Sequence, residues 1–146
     1  GENLGDRLSI SADGSRLALR RYIAGAPDTV EVYDISVSPP VQLGSALSCG
    51  AEGSTTALSS DGNRVAVSCE YFGANSGRVD IFDYDGSDWT RIGNLTASVD
   101  LSLFGWCSGF DATGNRLAIS APNYNFAGVN RIGLVRIFDY DGTTWN

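Results

Sequence analysis

Four groups of residues in this 146-residue chain have types and spacings that could do chemistry. The first is GWCSG at 105–109, which has the glycine–x–nucleophile–x–glycine spacing of a nucleophile elbow with Cys107 at its centre. A reactive thiol there needs a base and a strand-to-helix turn to expose it. The sequence contains no His, and all ten of its basic residues are Arg, so it can build neither a triad nor a Schiff-base lysine. The second group is the acidic run Asp80, Asp83, Asp85 and Asp88. Such oxygens can wrap a hard cation, yet Asp83 and Asp85 recur as Asp139 and Asp141, which fits carboxylates that bond the N–H groups of a fixed turn. The third group is SADGS, SSDGN and DATGN at 11–15, 59–63 and 111–115; each carries one carboxylate, too few for a calcium cage.

The fourth group is a set of loops: RRYIAGAPDT at 20–29, EYFGANSG at 70–77 and PNYNFAGVNRIG at 122–133. They bring Tyr22, Tyr71, Phe72, Tyr124, Asn125 and Phe126 into segments that differ in length. Aromatic rings beside amides suit stacking on sugars or contact with a protein, and these six are the binding candidates. No catalytic residue, metal ligand or cofactor is assigned.

The elements that must position these groups are repeats. Asp13, Asp61 and Thr113 open tight glycine turns 48 and 52 residues apart. A second phrase follows in phase: VEVYD at 30–34, VDIFDYDGSDW at 79–89 and VRIFDYDGTTW at 135–145. A short VQLG at 41–44 and TRIG at 90–93 closes the unit. In RVAVS, Val65 and Val67 alternate with Arg64, Ala66 and Ser68, as in a strand. In VDIFDY, both faces carry apolar residues, as in a sheet held between two others. Four strand-like runs per period near fifty are the signature of propeller blades. The chain is read as all-β: three four-stranded antiparallel blades of a partial propeller, at 1–48, 49–97 and 98–146, with essentially no helix. In the middle blade the strands are placed at 53–59, 64–69, 78–84 and 89–93. Pro39 and Pro40 forbid a regular ladder in the first blade, so its last connection should be looser.

Net charge is −7 with no Lys and no basic stripe, which argues against nucleic acid and anionic membranes as partners. No apolar run is long enough to insert in a bilayer. Cys49, Cys69 and Cys107 lack metal spacing. Antiparallel pairing about the turn at Asp61 sets Cys69 near Ser54, five residues from Cys49, so a Cys49–Cys69 bridge is expected. Cys107 is then a packed thiol in its strand or the partner of a missing blade. Asn94-Leu95-Thr96 is a glycosylation sequon.

Phe104-Gly105 and Ser120-Ala121-Pro122 resemble the two halves of the FG-GAP repeat, the blade unit of integrin α-subunit propellers, with Ser in place of the second Gly. The other copies, with Leu4-Gly5, Glu52-Gly53 and Ser68-Cys69-Glu70, are degenerate. In style the chain is similar to calcium-free repeats of secreted marine microbial and algal proteins. The resemblance implies an extracellular or cell-surface module for adhesion, scaffolding or recognition. Its partners would be other blades of a longer chain or neighbouring copies, with glycans as the alternative. Three blades cannot close a ring, which takes about 4–8.

Overall fold

The structure is a computed structural model that describes residues 2–51, 53–97 and 102–146. Glu52 of the second copy's opening motif and the repeat boundary at Ser98 lie outside the described residues.

Strands follow one another as antiparallel meanders. The first sheet is β1 (Glu2–Ile10), β2 (Arg16–Ile23), β3 (Thr29–Asp34) and β4 (Val41–Gln42), paired in chain order. The second is β5 (Ser54–Leu58), β6 (Arg64–Cys69), β7 (Arg78–Tyr84) and β8 (Trp89–Thr96). The third is β9 (Ser108–Phe110), β10 (Arg116–Ala121) and β11 (Leu134–Asp139), and an isolated bridge from Tyr140 to Trp145 begins a fourth strand. This is the all-β propeller-type architecture the repeats imply. The middle strands fall where alternation places them, whereas β8 runs on to Thr96. One helical turn, α1 (Phe72–Asn75), is an addition to the helix-free expectation. Gly73 and Ala74 inside it are left-handed, so it is a coiled loop rather than a helix.

Period-two alternation gives each sheet two apolar faces, and two cores result. Leu58, Val65, Val67 and Phe82 of the middle sheet meet Ala18, Val30 and Val32 of the first. Ala57, Ala66, Val79 and Ile81, on its opposite face, meet Leu117, Ile119, Ala121 and Phe138 of the third. In the first blade Pro39 and Pro40 have no N–H to donate, so β4 shrinks to two residues.

The recurring turn has a local and a distant function. Locally, the Asp61 carboxylate accepts from the Ser59 hydroxyl at 2.6 Å and the Asn63 N–H at 3.0 Å. The third turn swaps the two residue types: the Thr113 hydroxyl donates to Asp111, so one hydroxyl and one carboxylate close either version. At a distance, the turn's Arg reaches into the next blade. The Arg16 Nη1 donates to the Gly62 carbonyl at 3.0 Å and to Asn63 Oδ1 at 2.6 Å. The Arg64 Nη1 does the same to Gly114 and Asn115, both at 2.9 Å. Each guanidinium also lies over a tyrosine of that next blade, Tyr84 for Arg16 and Tyr140 for Arg64. Asp83, paired with Arg64 Nε at 2.6 Å, aims the second of these latches.

Candidate functional site

The connections between second and third strands gather at the end of the sheets opposite these turns. There the loops of the middle and third blades border an open cleft of about 570 Å³ lined by Tyr71, Asn75, Leu103, Asn123, Asn125, Asn130 and Arg131. Asn125 Oδ1 accepts from the Arg131 N–H at 2.8 Å, which holds the long third loop closed on itself. Asn75 and Arg131 both take positive φ, a conformation that Asn tolerates through its short polar side chain. The lining is amide-rich, with one half-exposed ring and one cation, and suits hydrogen bonding to a polar ligand.

Of the six binding candidates, the structure brings Tyr71 and Asn125 together. The others go elsewhere. Tyr22 lies beneath the Arg20 guanidinium and Phe72 beneath Arg78. Tyr124 packs against the second core, and Phe126 stands exposed outside the cleft. Asn75, Asn123, Asn130 and Arg131 were missed; the available signal was the density of Asn in loops of unequal length.

The acidic run disperses, because alternate residues of a strand face opposite ways. Asp80 is fully buried, held by Arg78 at 3.0 Å and by the Asn94 amide. Asp83 pairs with Arg64. Asp88 accepts from the Ser45 N–H at 2.8 Å and so ties the middle blade to the end of the first. Asp85 does what the sequence suggests, accepting from the Ser87 and Asp88 N–H groups. Among the described residues no cluster of three His, Cys, Asp or Glu side chains could hold a metal ion. Asn94 lies exposed on β8, its amide nitrogen turned to Asp80.

A second charged group lies between the first two blades. Asp28 is buried, accepts from Arg20 at 3.0 Å and takes the Gly53 N–H at 2.7 Å. Arg20 also reaches Asp6 at 2.9 Å. Nearby Glu70 is buried with Oε2 lacking a hydrogen-bond partner, and burial pushes its carboxyl above the usual range. On the outer face of the first blade, Arg21 grips Glu31 at 2.6 and 3.0 Å while the Tyr33 hydroxyl donates to it, and Arg21 holds that carboxyl down.

Cys49 and Cys69 are joined as a disulfide, their Cα atoms 6.1 Å apart. Cys107 does not sit inside its strand as the repeat register suggests. It precedes β9 and is exposed, because Phe104 fills the core ahead of it and Gly105 turns the chain.

The outer faces of the two end blades form the second candidate surface. Leu8 and Ile10 on the first blade are 62% and 54% exposed, and Val135 and Ile137 on the third are 61% and 55% exposed. Leaving each such side chain wet forgoes about 1.5–3 kcal/mol of burial.

No family model and no curated protein sequence matches the chain. Among solved structures it is similar to the crystal structure of TolB from Acinetobacter baumannii, at 17% identity and a TM-score of 0.58. The match covers 95% of this chain and 31% of that one, so the chain spans about a third of the length of the TolB structure. TolB is a β-propeller protein, and likeness at this level shows the fold: three blades of a propeller type.

Proposed function

We propose that the chain is a non-catalytic, extracellular structural or adhesive module that acts through protein–protein assembly. The observation that carries this reading is the pair of open apolar faces, Leu8 and Ile10 at one end and Val135 and Ile137 at the other. A blade lying between two others buries both faces, as the middle one does, and the end blades have the same kind of faces to bury. The absence of His and Lys from the sequence leaves few groups for proton transfer or covalent catalysis. An extracellular setting is supported by the Cys49–Cys69 disulfide, which suits an oxidising compartment, and by the sequon at Asn94. The FG-GAP likeness supports the same reading through Phe104-Gly105, where the Phe is buried in the second core.

Sedimentation of the purified chain across a wide concentration range tests the proposal. Reversible association is expected. A stable monomer at every concentration, with well-dispersed NMR signals and no dye binding to its end faces, removes the assembly reading.

A second reading, a carbohydrate- or protein-recognition propeller, is favoured by the Tyr71, Asn75, Asn123 and Asn125 cleft. A glycan-array signal lost in Asn123→Ala and Tyr71→Ala, with association unchanged, would favour it over assembly.

A further inference from the structure

Backbone strain collects at the loop end. Among the described residues, five other than glycine have positive φ: Ala74 (55°), Asn75 (63°), Leu103 (53°), Ala127 (51°) and Arg131 (53°). All five lie in the three segments that border the amide-rich cleft, and Asn75, Leu103 and Arg131 line it. Asn reaches this conformation readily, but Leu and Arg have no short polar side chain to favour it. Strain of this kind persists only where the surroundings impose it, and it gathers at ligand clamps.

Backbone hydrogen bonds impose it here. The Leu103 N–H donates to the Asn75 carbonyl and the Phe104 N–H to the Ser76 carbonyl, both at 3.0 Å. The buried Ser102 hydroxyl donates to the same Ser76 carbonyl at 2.8 Å, and the Ser102 carbonyl accepts from the Asn123 N–H at 3.2 Å. The Ile132 N–H donates to the Tyr124 carbonyl at 3.0 Å and closes the base of the third loop. The middle loop, the segment at 102–104 and the third loop therefore form one frame. It leaves no slack, since a Cβ on Gly77 would run into the Phe104 backbone.

This frame uses backbone groups and leaves side chains free. The amides of Asn75, Asn123 and Asn130 and the guanidinium of Arg131 make no hydrogen bond or ion pair among the described residues. Elsewhere Arg20, Arg21, Arg64, Arg78 and Arg116 each grip a carboxylate. No carboxylate lines the cleft, although the chain carries 17 acidic residues and a net charge of −7.

We propose that the cleft binds an acidic saccharide, with the sugar's carboxylate or sulfate on Arg131, its hydroxyls on the surrounding amides and a ring against Tyr71. The proposal rests on the recognition reading above and involves neither end face. Each amide offers both donors and an acceptor, as a sugar hydroxyl requires. The guanidinium fork can meet two anionic oxygens at once and stays charged at any working pH. The half-exposed Tyr71 ring supplies one apolar plate with a polar tip. The cleft volume falls within the range of about 300–1,000 Å³ typical of small-ligand sites, and its open sides let a longer glycan run out. A bound peptide would need apolar pockets or a sheet edge to extend, and the apolar members of this lining are Tyr71 and Leu103.

A glycan array tests this with the 146-residue chain. Its probes are oligomers of galacturonic acid and their methyl esters, and sulfated and unsulfated oligomers of galactose. At least one acidic probe should bind about tenfold or more tightly than its uncharged counterpart, and the two acidic arms tell carboxylate from sulfate. The chain's own negative charge repels acidic oligomers, so such a preference must arise locally. Arg131→Gln, at an exposed position, should abolish the preference, whereas Arg116→Gln at the opposite end should keep it. Tyr71→Ala should weaken acidic and uncharged probes alike, with circular dichroism checking the fold of each variant. If uncharged probes bind as tightly as acidic ones, or if the acidic preference survives Arg131→Gln or is lost equally in Arg116→Gln, the anionic site is overturned while the recognition reading stands. If no saccharide binds, both fall and the assembly reading is untouched.

Discussion

The two ends of the stacked sheets are fastened differently. At the turn end, one device is used repeatedly: a glycine turn closed by a hydroxyl and a carboxylate, with an arginine that latches the next glycine carbonyl. At the loop end no such latch recurs among the described residues. There a single disulfide joins the first-to-second blade connection to the end of β6, and Phe104 pairs by a lone bridge with Gly77. The turn end spends its carboxylates on hydrogen bonds; the loop end leaves Glu70 buried with an unpartnered oxygen and opens a cleft of amides. Repetition serves what must be the same at every blade, and irregular loops are free to differ where recognition is concerned.

The comparison can be broken most severely at the loop end's covalent fastener. The disulfide spans 20 residues, so replacing both cysteines with serine should cost about 3 kcal/mol in urea unfolding. A loss below about 1 kcal/mol would mean that the loop end is held by its packing alone.

At the turn end, Arg64→Ala removes two hydrogen bonds to the next turn, the pair with Asp83 and the ring contact with Tyr140. A loss of about 2–3 kcal/mol is expected. Tyr71→Ala at the cleft should stay within about 0.5 kcal/mol, since it exposes no core. Equal effects from the two would erase the distinction between the ends.

A finer test lies within the turns themselves. Gly62→Ala meets both a positive φ and the Arg16 side chain, and should cost about 2 kcal/mol. Gly14→Ala meets the φ alone and should cost about 1 kcal/mol. Thermal unfolding at low protein concentration reads the difference.

Carboxylates at the two ends should respond to pH with opposite sign. Hydrogen bonds from the Ser11 hydroxyl and from Ser15 hold Asp13 down to about 2, from 3.8. Its stabilisation is present above 3.8 and lost as pH falls from there towards about 2. Burial raises Glu70 above 4.5, so the folded state favours its neutral form. Its contribution is therefore best below 4.5 and declines as pH rises through the raised value. Glu70→Gln should raise the melting temperature at pH 7 and flatten that decline, while Asp13→Asn should shift only the acid limb. A Glu70→Gln protein that melts lower at pH 7 would show that the carboxylate has a partner worth more than its burial costs.

The smallest effect expected is that of calcium. The turn carboxylates already accept hydrogen bonds from their own turns, so melting curves with chelator and with excess calcium should coincide. An upward shift of several degrees on adding calcium would instead make the turn end a cation site.

By itself the sequence determined the sheets. Alternation in RVAVSC and RVDIFDY placed β6 and β7 at their observed bounds, because the pleat alone dictates where apolar residues fall on a strand. Glycine in each Asp/Thr-Gly turn fixed the hairpins, and pairing about Asp61 put Ser54 opposite Cys69 and so brought Cys49 within reach. These are local or next-strand relations that the chain's own geometry encodes. Tertiary structure alone decided which side chain meets which across blades. Arg16 and Arg64 find partners 46 to 51 residues away, and that reach depends on how far one sheet is rotated against the next. Stacking of the sheets also buried Asp80, brought Tyr71 to the cleft and sent Tyr124 to the core. The pattern along a strand records which face a residue takes; what stands opposite that face is set only when the sheets stack.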